Sequence, residues 1–128
     1  MTYMTKLRVA ALSTALFLTL AGAVPLTLPH FGLSKSMPEA GSTVASPEEV
    51  RLWFTQVPQE GTVQIRVVEA DDAGVHVMDA VQDETDGRVF SVVLHGTLPP
   101  AAYTVSWRGM GEDGHVIRET FEFTVAAH

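Results

Sequence analysis

Tyr103-Thr104-Val105-Ser106-Trp107-Arg108 runs into Gly109-Met110-Gly111-Glu112-Asp113-Gly114-His115, and Thr120-Phe121-Glu122-Phe123-Thr124-Val125 follows shortly after. The outer two segments alternate apolar and polar residues strictly. That period of two marks strands with one buried face. The connection between them is rich in glycine and carries Glu112, Asp113 and His115. Gly114 suits a tight turn, with a carboxylate on one side of it and an imidazole on the other. Asp113 and His115 therefore read as two arms of a metal site on a rigid β scaffold. The competing reading is an Asp-Gly turn dipeptide with His115 in water.

The same alternation recurs along the chain. Val50, Leu52 and Phe54 alternate with Arg51, Trp53 and Thr55; Val63, Ile65 and Val67 mark a strand over 62–69; Phe90, Val92 and Leu94 mark another over 88–94. A first strand is expected within 30–37, a hairpin partner over 75–81, and a last strand over about 116–125. Asp71-Asp72-Ala73-Gly74, the polar run 83–87 and the segment 96–100 supply the turns. About seven short strands with Gly, Pro and Asp turns, and no convincing helix, predict one all-β domain built as a sandwich. Trp53 and Trp107 are both expected in or near the core.

The 128-residue chain has room for one domain and a targeting segment. Residues 1–23 read as a secretory signal peptide: Lys6 and Arg8, an apolar run from Val9 to Leu20, then Ala21-Gly22-Ala23 as cleavage site. The competing reading is an uncleaved anchor, because no charged residue falls between Arg8 and His30. Cleavage leaves 24–128 as the mature domain, exported to the periplasm or secreted. Losing Lys6 and Arg8 takes the formal charge from −7 to −9. Such an acidic chain is a poor partner for nucleic acid, whose phosphates need clustered Lys and Arg. Cysteine is absent, which excludes disulfides, thiolate ligands and thiol nucleophiles.

The metal chemistry rests on histidine and carboxylate. Imidazole with carboxylate suits Cu(II), Ni(II) and Zn(II), and a tetragonal N,O set favours Cu(II). A mononuclear site needs a further nitrogen donor beside Asp113 and His115, and spacing alone leaves open which of His30, His76, His95 and His128 supplies it. His76, His95 and His128 read as solvated surface residues.

Three motifs in register resemble the CopC family of periplasmic copper-binding proteins. They are His30-x-x-Leu33-x-x-Ser36-x-Pro38-x-x-Gly41; then Pro47-x-x-Val50-Arg51-Leu52-x-Phe54; then Tyr103-x-Val105-x-Trp107-Arg108 with Asp113-Gly114-His115 and Phe121-x-Phe123-x-Val125. The resemblance implies a cupredoxin-like, immunoglobulin-like Greek-key β-sandwich. It also implies a Cu(II) site formed by His30, Asp113 and His115, with the terminal histidine of the family giving both its α-amine and its ring nitrogen. Cleavage after Ala23 would leave residues 24–29 ahead of His30 and so deny it a free amine. Gln56 stands where some members carry a glutamate that assists the metal. Met37, Met78 and Met110 are too dispersed for a dedicated Cu(I) site, since thioether donors must converge; Met110 and Glu112 are the neighbours of the turn worth testing.

The leading expectation is a non-enzymatic, monomeric Cu(II) carrier or buffer in copper resistance or homeostasis, with a CopD-type inner-membrane permease as the partner implied by the resemblance. The alternative is a metal-free interaction module on the same fold with a decayed site. An oxidative copper enzyme is disfavoured, because a domain this small leaves little room for a substrate face.

Overall fold

The computed structural model describes residues 30–70 and 75–127, with backbone alone for Val75–Met78. The expected signal peptide and lead-in, the turn at 71–74, the side chain of His76 and the terminal His128 lie outside the described residues.

Among the described residues nine strands follow one another: β1 (Leu33–Met37), β2 (Thr43–Val44), β3 (Glu49–Phe54), β4 (Gln64–Glu69), β5 (Val75–Met78), β6 (Val81–Gln82), β7 (Val89–Val93), β8 (Ala102–Met110) and β9 (Val116–Val125). They form a four-stranded sheet in the order β1-β3-β7-β6 and a five-stranded sheet in the order β2-β9-β8-β4-β5. Every pairing among them is antiparallel except β2 with β9. This is the all-β, cupredoxin-like Greek-key sandwich expected from the sequence.

Two sheets pack face to face when the inward side chains of alternating strands interdigitate. Here Val50, Leu52 and Phe54 of β3 and Val92 of β7 face Ile65 and Val67 of β4 and Tyr103, Val105 and Trp107 of β8, all buried. Phe123 and Val125 of β9 complete that layer. At one end Phe31, Phe54 and Trp107 form an aromatic cluster, with ring centroids 5.0 Å apart for Phe31–Phe54 and 5.1 Å for Phe54–Trp107. At the other, Tyr103 stacks on Phe123 at 5.5 Å and its hydroxyl donates to the Pro99 carbonyl at 2.6 Å.

Three expectations change. The strand expected over 75–81 is divided: β5 pairs with β4 in the larger sheet and β6 with β7 in the smaller. The chain thus passes between sheets at Asp79-Ala80. The first strand begins at Leu33, so His30 lies ahead of the sheet. Trp107 is core, but Trp53 belongs to the outer face of β3, half-buried, with the Lys35 ammonium 4.6 Å from its ring. The parity of β3 decides this, because Trp53 falls between the inward Leu52 and Phe54.

Candidate metal centre

β8 and β9 form the longest hairpin, in register from Ala102↔Thr124 to Met110↔Val116. Residues 111–115 close it. Gly114 adopts φ of +80°, a left-handed conformation open to glycine without a Cβ penalty. Its N–H donates to the Gly111 carbonyl at 3.1 Å, and the Gly111 N–H to the His115 carbonyl at 3.3 Å. The turn folds Asp113 back onto His115. Asp113 Oδ1 accepts the His115 backbone N–H at 3.0 Å, and Oδ2 lies 2.9 Å from His115 Nδ1.

These bonds set the chemistry of the pair. The His115 backbone N–H, followed by its ring, holds the Asp113 carboxyl below the usual carboxylate range; charge on His115 and on His30 pulls the same way. Asp113 is therefore an anion across the physiological range. Its contact with Nδ1 orients the imidazole and leaves Nε2 as the outward donor, the arrangement common to metal-bound histidine. Both side chains are exposed, at 54% for Asp113 and 81% for His115, so an ion reaches them directly from solvent.

Three residues of the loop between β3 and β4 brace the turn. The Gln59 N–H donates to the Met110 carbonyl and Gln59 Nε2 to the Gly111 carbonyl, each at 2.8 Å. Thr62 Oγ1 accepts the Met110 N–H at 3.1 Å. Gln56 Oε1 accepts the Glu112 N–H at 3.4 Å. Gln56 thus supports the turn's backbone, a role its neutral amide can fill.

His30 reaches this turn through Phe31. The Phe31 ring lies against Gly109 and Gly111. A Cβ at Gly109 would stand 2.8 Å from Phe31 Cζ, and one at Gly111 would stand 2.7 Å from Phe31 Cβ. Two glycines two apart in sequence therefore make a seat that any side chain would fill. Thr55 fixes the backbone on either side: its hydroxyl donates to the His30 carbonyl at 2.9 Å and accepts the Gly32 N–H at 3.1 Å. His30 is exposed, and its charge is felt at Asp113. The fold thus brings His30 to the pole where Asp113 and His115 lie, and it brings the latter two into contact. Among the described residues, no three His, Asp or Glu side chains converge to ligand distance; His30 stands beside the pair without closing on it. His95 is exposed at the end of β7 and takes no part in the turn's hydrogen bonds. The bracing by Gln59 and Thr62 escaped sequence reasoning, since neither type nor spacing distinguishes them from ordinary loop residues.

Fold and turn together define a class: small Greek-key β-domains with an exposed, histidine-bearing turn at one pole. The CopC domain model matches residues 33–126, and the chain belongs to the CopC family. It is 27% identical over 109 residues to protein YobA of Escherichia coli K12, covering 84% of this chain and 88% of that one. It is 29% identical over 105 residues to copper resistance protein C of Escherichia coli, covering 75% and 81%. The fold is similar to the crystal structure of CopC from Methylosinus trichosporium OB3b, with a TM-score of 0.69 at 27% identity over 77% of this chain and 96% of that one. It is also similar to PcoC, a methionine-rich copper resistance protein from Escherichia coli, with a TM-score of 0.64 at 26% identity over 76% and 99%.

Proposed function

We propose that this chain is an extracytoplasmic copper-binding protein that carries or buffers one Cu(II) ion in copper resistance. His30, Asp113 and His115 are its ligands. The observation that carries this reading is the Asp113–His115 pair, held at 2.9 Å with Nε2 outward, on the pole where Phe31 delivers His30. Family membership supports copper as the ion, and a copper resistance protein is among its relatives. The donor set supports the divalent state: imidazole and carboxylate suit Cu(II), whereas Cu(I) prefers the sulfur donors that this chain disperses. For all three groups to meet on one ion the Asp113–His115 side-chain hydrogen bond must open, because it turns Nε2 away from the carboxylate; both side chains are exposed and free to turn.

Residues 1–23 act as the export signal, leaving a monomeric domain over 24–128, and a CopD-type membrane permease receives the copper. The ion is cargo, so the exposure of the site serves release as well as capture. Nothing in the turn resembles a nucleophile–base pair, and the reading is non-enzymatic.

Cu(II) titration followed by electron paramagnetic resonance tests the assignment. One ion per chain is expected, with nitrogen splitting that changes in His30→Ala. His115→Ala and Asp113→Ala should each weaken binding at least tenfold, a loss of about 1.4 kcal/mol or more. Unchanged binding in both variants would remove the site and leave the metal-free module.

A further inference from the structure

The outer face of the five-stranded sheet holds a feature that copper does not use. Gln64 and Arg66 of β4, Ser106 and Arg108 of β8, and Arg118 and Thr120 of β9 line a shallow depression of about 450 Å³. Strand pairing assembles it from distant parts of the chain: Gln64 lies opposite Arg108, Arg108 opposite Arg118, and Arg66 opposite Ser106. Three of the six Lys and Arg residues that follow residue 29 thus face one hollow on a chain of formal charge −7.

The arrangement is unfavourable by itself. Like charges directly opposite on neighbouring strands repel, as Arg108 and Arg118 do. Among the described residues none of the three guanidiniums makes an ion pair, although Glu119 lines the same hollow. Arg108 Nε is buried without a hydrogen-bond partner. An unpaired buried guanidinium nitrogen and a repulsive pair are what a bound anion would relieve.

We propose that this face docks an extended acidic peptide segment of a partner protein, its carboxylates taken by Arg66, Arg108 and Arg118. Guanidinium binds carboxylate in bidentate fashion, which suits arginine over lysine here. Alternate side chains of an extended segment recur roughly every 7 Å, which matches the two-residue along-strand step that sets Arg66 off from the Arg108–Arg118 row. An anionic bilayer is the poorer match: membrane recognition uses clusters of about 4–8 cationic residues, and the acidic remainder of this molecule would be repelled. The pair Arg108↔Arg118 stands two steps from Met110↔Val116, where the hairpin closes. A segment bound there would lie beside the metal turn. That last consequence rests on the copper reading; the docking face does not.

The test uses metal-free protein and backbone amide NMR, with acetylated hexaglutamate as probe and hexalysine, inorganic phosphate and phosphatidylglycerol vesicles as comparisons. Saturable shifts at Gln64, Arg66, Ser106, Arg108, Arg118 and Thr120 with hexaglutamate, and none with hexalysine, are expected. The double variant R108Q/R118Q should bind hexaglutamate at least tenfold more weakly, yet keep its Cu(II) affinity and melt no lower than wild type. Absence of shifts at this face, or equal affinity in the double variant, would overturn the proposal. So would vesicle binding without peptide binding, or phosphate binding as tight as the peptide's. Loss of Cu(II) binding in His115→Ala with peptide binding intact would separate the two sites.

Discussion

Gly111 and Phe31 show how a residue without a side chain governs one that carries chemistry. Phe31 is buried against β8, and its Cβ occupies the space a Gly111 methyl would need, at 2.7 Å. Because that contact is with Cβ and not with the tip of a flexible chain, relief requires movement of the Phe31 backbone, and His30 is its immediate neighbour. Gly111→Ala should therefore cost about 1–3 kcal/mol, the usual range for overpacking, read as a lower urea midpoint with an unchanged slope. It should also weaken Cu(II) binding, although neither Asp113 nor His115 is altered. A variant with reduced stability and unchanged copper spectra would show that the position of His30 does not depend on the Phe31 seat.

Among the elements, the loop between β6 and β7 illustrates pH dependence most directly. Asp83 Oδ2 accepts from Thr85 Oγ1 at 2.8 Å, from the Asp86 N–H at 3.0 Å and from the Thr85 N–H at 3.2 Å. The Thr85 hydroxyl, then the Asp86 N–H, hold the Asp83 carboxyl below its ordinary range. A depressed folded pKa stabilises the fold above the unfolded value, about 3.9 for aspartate, and that contribution is lost as pH falls through the folded value. Asp83→Ala should thus melt below wild type near pH 6, and the gap should narrow below about pH 3.9; a gap constant across that range would show that the loop's stability is not carried by the ionised carboxylate. The strands themselves were largely legible. β3, β4, β7, β8 and β9 each carry the period-two alternation, and their inward residues are the buried ones. β2 and β6 are two residues long, too short to show a period, and exist because neighbours offer free edges. The Asp-Gly-His turn announced itself through composition, whereas the place of His30 followed only from the family resemblance, and the arginine face not at all. Positions 66, 108 and 118 become neighbours through sheet order, which alternation alone does not encode.

For the whole molecule, the proposed copper site links binding to folding, because a site drawn from the segment ahead of β1 and the last hairpin would exist only when both are in place. A ligand at a hundred times its Kd that binds the folded state alone adds about 2.7 kcal/mol, and each kcal/mol raises the melting point of a domain near this size by roughly 4–8 °C. Calorimetry with Cu(II) in that excess should therefore show a rise of roughly 10–20 °C, cut to about half or less in His115→Ala at the same Cu(II) concentration. The size of the rise also reports the mature N-terminus. A chain beginning at His30 offers an α-amine and an imidazole on one residue, while a chain that retains residues 24–29 offers the ring alone. At one fixed Cu(II) concentration the shorter form should melt higher, and intact-mass spectrometry of exported protein identifies which form is made. The Thr55 hydroxyl pins the His30 carbonyl, so the amine of the shorter form would be held at the same pole as Asp113. Equal melting points for the two forms would mean that copper takes no donor from the chain terminus, and that the imidazoles and Asp113 suffice.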